Sequence, residues 1–261
     1  MRILFVSDFH YLDKYPKTIE GYKSIFNNID NSLLTLKDIL KNNDYDILLI
    51  GGDLSEDGMV KDYQSIKDTI DKYNHKPYLI TLGNHDIKEN FYQVFTDLKE
   101  KGKYHHTAEF KDYKFICFDS SLHGVNEGYI SIEDSQWLIN EIANSEKEVI
   151  ILTHHHLLDY QHETKSVDIS ENLVETLKNK KVKLVINGHT HTPFMQKFDY
   201  TYFISTGSLS FRAHSDHNHL IFTNERYYST IDGNDFVSVN HINVKGDFRQ
   251  YRVFDLSKED L

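Results

Sequence analysis

Seven short apolar runs punctuate the chain: ILFV at 3–6, DILLI at 46–50, YLITL at 78–82, KFICF at 114–118, EVIIL at 148–152, VKLVI at 182–186 and YFIST at 202–206. A strand with one wet face alternates polar and apolar residues, whereas short unbroken Ile, Val, Leu and Phe runs suit strands buried on both faces. Between most of them lie polar segments with helical spacing. Ile25, Ile29, Leu33, Leu36 and Leu40 recur at threes and fours in 24–41, and Tyr63, Ile66, Ile70 and Tyr73 do so in 63–73. The segments 133–145 and 170–180 also fit, each with acidic residues in its first turn. Strand–helix–strand alternation predicts an α/β architecture with parallel pairing. After about residue 200 the runs YFIST, HLIFTN, FVSVNHINV and RQYRVFDL are separated by turn sequences such as DGND and KGD. They predict a mainly antiparallel β portion over 200–261 that completes the sheets. No Pro/Gly/Ser-rich linker, repeat or low-complexity tract interrupts the sequence, so a single domain over 1–261 is expected.

Charge narrows the partners. A formal net charge of −11 at pH 7 repels nucleic acid and anionic membranes, so neither a nucleic-acid duplex nor a membrane is an expected partner. It repels phosphorylated small molecules too, unless cations within a site reverse the local field. The one cysteine, Cys117, excludes a disulfide framework and a thiolate zinc site, and its apolar neighbours predict a buried core thiol. No run has membrane-spanning length, and MRILFVSD reads as an immediate strand rather than a signal peptide. A soluble, cytoplasmic protein is expected.

The residues just after the runs carry the chemistry. ILFV is followed by Ser7, Asp8, Phe9 and His10, DILLI by Gly51, Gly52 and Asp53, and YLITL by Gly83, Asn84, His85 and Asp86. EVIIL leads into Thr153 and His154, and VKLVI into Asn187, Gly188, His189, Thr190 and His191. Alone, each has an ordinary explanation: a turn, a helix cap or a solvated histidine. Together, five strands deliver Asp, Asn or His at their carboxyl ends, the edge where α/β sheets bind ligands. Two carboxylates, one amide oxygen and four imidazoles are too many ligands for one metal and suit two. Oxygen and nitrogen ligation without thiolate favours Mn²⁺ or Fe, with Zn²⁺ or Ni²⁺ as further options, over copper(I) or Ca²⁺. Two divalent cations against Asp8 and Asp53 leave the site net positive, the local excess a phosphate needs on so acidic a protein.

In order, these elements resemble the calcineurin-like metallophosphoesterase superfamily: Asp8-Phe9-His10, Gly52-Asp53, Gly83-Asn84-His85-Asp86, His154, and Gly188-His189-Thr190-His191. Asp119-Ser120, Gly124, Gly128 and Gln136-Trp137-Leu138 resemble its bacterial class III cyclic-nucleotide phosphodiesterase branch. GGDLSEDG lacks the arginine that the serine/threonine phosphatases carry there, and His154-His155-His156-Leu157 departs from the His-His-Pro-Pro usual in the cyclic-nucleotide branch. The resemblance implies a four-layer α/β/β/α sandwich of two facing mixed sheets flanked by helices. It implies that Asp8, His10, Asp53 and His191 hold one metal, that Asp53, Asn84, His154 and His189 hold the other, and that Asp53 bridges. The implied activity is hydrolysis of a small phosphodiester, a cyclic nucleotide among the options, by a metal-bridging hydroxide. The alternatives are a broad phosphomonoesterase, a glycerophosphodiester or phospholipid-headgroup hydrolase, and a non-catalytic scaffold.

His85 is free of ligand duty and is expected to act as general acid or, as an imidazolium, to stabilise the transition state, with Asp86 or another carboxylate orienting it. Asn84 is expected to touch the phosphate as well as a metal. Side chains alternate in an extended segment, so His154 is the expected ligand, His155 stands behind the ligands or packs beneath the site, and His156 joins the pocket wall and substrate. His214, His217 and His219 have metal-like spacing, for which a polar surface loop is the ordinary explanation. Thr206-Gly207-Ser208 is expected at most to border the pocket, Arg212 to be a surface arginine, and His105 and His106 to be solvated. His123 is a candidate substrate contact on position alone.

Overall fold

The computed structural model describes residues 1–13, 32–98, 103–161, 164–216, 219–233, 237–245 and 250–255. Residues Ile25, Ile29 and His217, named above, lie outside them. The first sheet holds β1 (Arg2–Val6), β2 (Ile47–Ile50) and β3 (Tyr78–Ile80) in parallel, with β12 (Arg226–Gly233) and β13 (Val237–Lys245) added antiparallel, in the order β13-β12-β1-β2-β3. The second has the order β4-β5-β6-β7-β9-β8, from β4 (His106–Phe110), β5 (Tyr113–Cys117), β6 (Glu148–Leu152), β7 (Val182–Asn187), β8 (Phe194–Phe198) and β9 (Thr201–Ser205). Its inner four strands are parallel and its two edge strands antiparallel. A third sheet, β10 (Arg212–Asp216), β11 (His219–Thr223) and β14 (Gln250–Asp255), is antiparallel throughout.

Alternation of Cβ directions divides each strand between two cores. Ile3, Phe5, Ile47 and Leu49 of the first sheet meet Phe115, Cys117, Ile150, Leu152 and Ile186 of the second in one buried cluster between the sheets. The opposite face of the first sheet, Leu4, Val6, Leu48 and Ile50, packs on α1 (Ser32–Asn42), α2 (Val60–Tyr73) and α3 (Lys88–Val94) through Leu36, Ile66, Ile70 and Phe91. The opposite face of the second, Ile116, Val149, Ile151 and Val185, packs on α4 (Ile132–Ala143) and α5 (Glu171–Leu177) through Leu138, Ile142, Leu173 and Leu177. Helices, sheet, sheet and helices make the four-layer sandwich. Burial of each such side chain contributes about 1.5–3 kcal/mol. Ser131 starts α4 with a reciprocal cap, its hydroxyl accepting from Asp134 N and its own N–H donating to the Asp134 carboxylate, both at 3.0 Å.

Pairing also shows what the periodicity missed. The run at 202–206 is a parallel neighbour of β7, not part of the antiparallel set. The polar strand β12 (RYYSTIDG) pairs with β1 and carries the antiparallel addition into the first sheet. Among the described residues no helix is long and apolar enough to cross a membrane.

Candidate metal centre

β1, β2 and β3 are mutually parallel, as are β6 and β7, so their carboxyl ends meet at one end of the sandwich. Past the strands the first two loops stay zipped: Asp8 N donates to Gly52 O, His10 N to Asp53 O and Tyr11 N to Leu54 O, at 3.0, 3.0 and 3.1 Å. These loops are not relaxed. Asp8, His10, Asp53, His189 and His191 all have positive φ, between 43° and 70°. Such a conformation costs a non-glycine residue about 1–3 kcal/mol, and it persists only where surrounding contacts enforce it. Glycine is required where the loops touch. A Cβ on Gly83 would lie 2.1 Å from Asp53 Oδ1, and one on Gly188 would lie 2.0 Å from Ser7 Oγ.

The strain brings the polar atoms together. One ligand atom each from Asp8, His10 and His191 falls within 4.8 Å of the others, and so do those from Asp8, Asp53 and His154. His154 Nε2 is 3.3 Å and His10 Nε2 3.7 Å from Asp53 Oδ2, and His191 Nε2 is 3.4 Å from Asp8 Oδ1. Second nitrogens are tied down by acceptors: His10 Nδ1 to Glu56 Oε2 at 2.6 Å, His154 Nδ1 to Gly51 O at 2.7 Å, His191 Nδ1 to Phe211 O at 2.9 Å. An Nδ1 that donates leaves Nε2 as a lone pair, the form that binds a metal. His10 Nε2 and His191 Nε2 then face each other at 3.0 Å, two lone pairs that need a proton or a cation between them.

Charge follows the same pattern. Burial disfavours ionised Asp53, yet His154, His85 and His10 hold it well below the usual carboxylate range. Burial opposes ionisation of Asp8 too, and His191 outweighs it. At His10 burial works against the imidazolium, but Glu56, Asp53 and Asp8 push it up to about 9. Against the same burial, Asp53 and Asp8 push His154 up to about 9. Burial and the neighbouring His154 push His189 down to about 3.

These residues fit a pair of divalent cations on two observations. The donor set is carboxylate, amide oxygen and imidazole without thiolate. Of the four atoms expected around the second cation, Asn84 Oδ1 and His189 Nε2 are buried with no hydrogen-bond partner and His154 Nε2 has only the Asp53 carboxylate at 3.3 Å, a state that buried polar groups avoid unless something else completes them.

The expected catalytic pair separates. His85 lines a cavity of about 440 Å³ together with His10, Asp53, Asn84, His189 and His191. Asp86 does not orient it, a correction to the sequence-based expectation. The turn at 83–86 points its carboxylate inward, where it accepts from Gly83 N (2.9 Å), Leu54 N (3.2 Å) and the Tyr63 hydroxyl (3.0 Å). Burial beside Asp53 pushes it up to about 6. Glu56 takes the orienting place: His85 Nδ1 donates to its carbonyl at 3.0 Å and its carboxylate is 3.5 Å away. Glu56 sits in a run that reads as an acidic turn, so sequence alone gave no sign of it.

Of the three consecutive histidines, His154 joins Asp8 and Asp53 in one cluster of ligand atoms, and the other two depart from simple alternation. β6 ends at Leu152 and the chain bends at His154 and His155, so strict alternation stops. The His155 ring turns towards His189, centroids 4.4 Å apart, and burial with His189 and His154 pushes its pKa well below the ordinary histidine value. His156 is buried at 2% exposure and is not on the cavity wall, which Thr164 and Lys165 line instead. That corrects its expected substrate contact.

Several weaker expectations resolve structurally. Ser208 and Ser210 hydroxyls donate to Asp8 O at 2.8 and 3.0 Å, so the loop after β9 braces the first ligand loop. Arg212 pairs with Glu225 at 3.1 Å, and His123 is exposed. His105 is not solvated: it stacks between Phe118 and Trp137 at 4.8 Å from each and bonds Asp134 at 3.0 Å. His214 and His219 join no ligand cluster among the described residues. Cys117 is buried between the sheets.

The fold matches solved structures: a purple acid phosphatase from yellow lupin seeds superposes with a TM-score of 0.61 at 15% identity, over 97% of this chain and 53% of that one. A protein of Xenorhabdus bovienii named as a probable cyclic nucleotide phosphodiesterase is 25% identical over 204 residues, 74% of this chain and 79% of its own. A Haemophilus influenzae protein named as a 3′,5′-cyclic adenosine monophosphate phosphodiesterase is 28% identical over 165 residues, 60% of this chain and 58% of its own, little more than half its length. The calcineurin-like phosphoesterase profile matches residues 1–193, from β1 to just past His191, and the chain belongs to that family.

Proposed function

We propose that this metallophosphoesterase hydrolyses a small phosphodiester, a cyclic nucleotide foremost, at two divalent cations. The observation that carries the reading is the pair of buried, unpartnered atoms Asn84 Oδ1 and His189 Nε2 beside His154 and the strained Asp8, His10, Asp53 and His191. Asp8, His10, Asp53 and His191 would hold one cation and Asp53, Asn84, His154 and His189 the other, with Mn²⁺ or Fe best suited to the donors. When bound, such a pair supplies hydroxide at neutral pH and neutralises charge on the phosphoryl oxygens.

The protein's own groups do the rest. Asp53 Oδ1 accepts from His85 N at 2.9 Å, which ties the ligand loop to the general-acid loop. With Nδ1 committed to the Glu56 carbonyl, His85 presents Nε2 as the nitrogen that can pass a proton to the leaving oxygen. The cavity of about 440 Å³ has the volume of a small-molecule site, and its rim carries Asn126, Glu127, Thr164 and Lys165. With a net charge of −11, a compact substrate held by local cations is favoured over an extended polyanion. The names of the two relatives support the cyclic-nucleotide choice.

A hydrolysis panel with Mn²⁺ tests it: cyclic nucleotides, linear dinucleotides, nucleoside monophosphates and glycerophosphodiesters. Turnover of cyclic nucleotides is expected. Turnover of monoesters alone would remove the diesterase reading, and no hydrolysis even of bis(p-nitrophenyl) phosphate would leave a scaffold.

A further inference from the structure

A second cavity, of about 280 Å³, opens at the end of the sandwich opposite the ligand loops. Ile3, Tyr113, Glu148 and Tyr202 line it, each the first or second residue of its strand, so it lies at the amino ends of β1, β5, β6 and β9. An irregularity in β7 shapes it. Val149 pairs with Val182 and Ile150 with Leu184, which leaves Lys183 as an extra residue with no partner on β6. The packing shows the consequence. Val182 and Leu184 stand two apart, a spacing that keeps side chains on one face of a regular strand. Yet Val182 fills the core under the helices and Leu184 the core between the sheets. Such a bulge re-aims side chains, and bulges gather beside functional sites. Here it puts Lys183 on the cavity wall next to Leu184, with its Nζ 2.8 Å from Glu148 Oε1.

The lining combines three kinds of surface. Ile150 and Leu184 are buried on its inner side, Tyr202 is half-buried, and Tyr200 stands 65% exposed at its outer side. Among the described residues the lining also holds three lysines, Lys180, Lys183 and Lys197, against one carboxylate, Glu148. The chain as a whole carries 40 acidic and 29 basic residues, so this local excess of cations runs against its overall charge. Glu148 is already engaged by Lys183, while Lys197 lies over the Tyr202 ring, 5.1 Å from its centroid. An apolar inner wall, tyrosine rings and a cationic rim complement a flat apolar body that bears one negative group. The metal centre offers the contrary surface, carboxylates and imidazoles that attract cations. We propose that the amino-end cavity is a second ligand site, for a small aromatic carboxylate, separate from the metal centre.

Titration of the full chain with 2-naphthoate, followed in ¹H–¹⁵N spectra, tests this. Saturable shifts are expected at the amides of Tyr113, Lys183, Leu184 and Tyr202 and not at those of Asn84 or His85. The neutral isostere 2-naphthamide should bind about 10-fold more weakly, since it forgoes the attraction of the exposed lysines. Reversing two exposed charges in the double variant Lys180→Glu/Lys197→Glu should weaken naphthoate by about 10-fold and leave Mn²⁺ stoichiometry unchanged. Shifts centred on Asn84 and His85, or none that saturate, would remove the site. Equal affinity for the amide, or an unaffected double variant, would reduce it to an apolar gap between the sheets. Each of these results overturns the proposal. The readout needs neither metal nor turnover, so its failure would leave the proposed function standing.

Discussion

Within β1, Ile3 to Val6 and the Ser7 to His10 that follow obey opposite rules, and the same division recurs at β2, β6 and β7. The strand bodies are regular, apolar and fully paired, with alternate side chains filling two cores. The segments beyond them hold positive φ, buried carboxylates and acceptors without partners. The bodies need nothing beyond themselves to be stable. The ends are costly as polypeptide and make sense when something they hold completes them. Strain at the ends is tolerable because the bodies are rigid and extensive.

The division can be broken deliberately. The largest effect is expected from His85→Ala, which removes the proposed general acid and none of the proposed metal ligands: turnover should fall by about 10²–10⁴-fold with bound Mn²⁺ unchanged. Loss of Mn²⁺ from that variant would move His85 among the ligands. Gly83→Ala puts a methyl 2.1 Å from Asp53 Oδ1 and displaces a carboxylate that already sits in a strained loop. Turnover should drop about 100-fold, as expected for a misplaced catalytic group, with Mn²⁺ uptake weakened and far-UV circular dichroism retained. In the bodies the signature reverses. Ile150→Ala, fully buried between the sheets, should cost about 2–5 kcal/mol in denaturant unfolding and leave the Mn²⁺ stoichiometry of the folded protein intact. If it changes metal binding while sparing stability, bodies and ends are not separable.

A smaller effect is expected from pH. In the metal-free protein the imidazolium forms of His10 and His154, both raised to about 9, add stability. That contribution is complete below the unfolded histidine value of about 6.5 and is lost as pH rises to about 9. The melting temperature of metal-free protein should therefore fall across this interval. Mn²⁺ must displace the same protons, so its affinity should rise there. A melting temperature that climbs from pH 7 to 9 without metal would contradict the charge assignment.

Much of this was legible in the sequence because the bodies follow simple rules. Unbroken apolar runs marked β1, β2 and β5 to β7, and the polar residues after five runs converge in space. What escaped notice had weaker patterns. β4 (HTAEF) and β8 (FMQKF) are edge strands with half-exposed residues and carry no apolar run. Asp86 adjoins His85 in sequence, but a tight turn sends the two side chains in opposite directions. Glu56 reaches His10 and His85 only because the loop after β2 folds back across the site. His155 escaped because alternation stops where a strand ends in a bend.

The most direct test of the account is the number of cations the folded chain binds. Equilibrium dialysis against Mn²⁺ at pH 8, followed by elemental analysis, should give two per chain in the wild type. Asp53→Asn, which weakens the one carboxylate shared by both proposed positions, should bind fewer than one. Wild-type chain holding none, or Asp53→Asn still holding two, would contradict the claim that these strand ends form a two-metal centre.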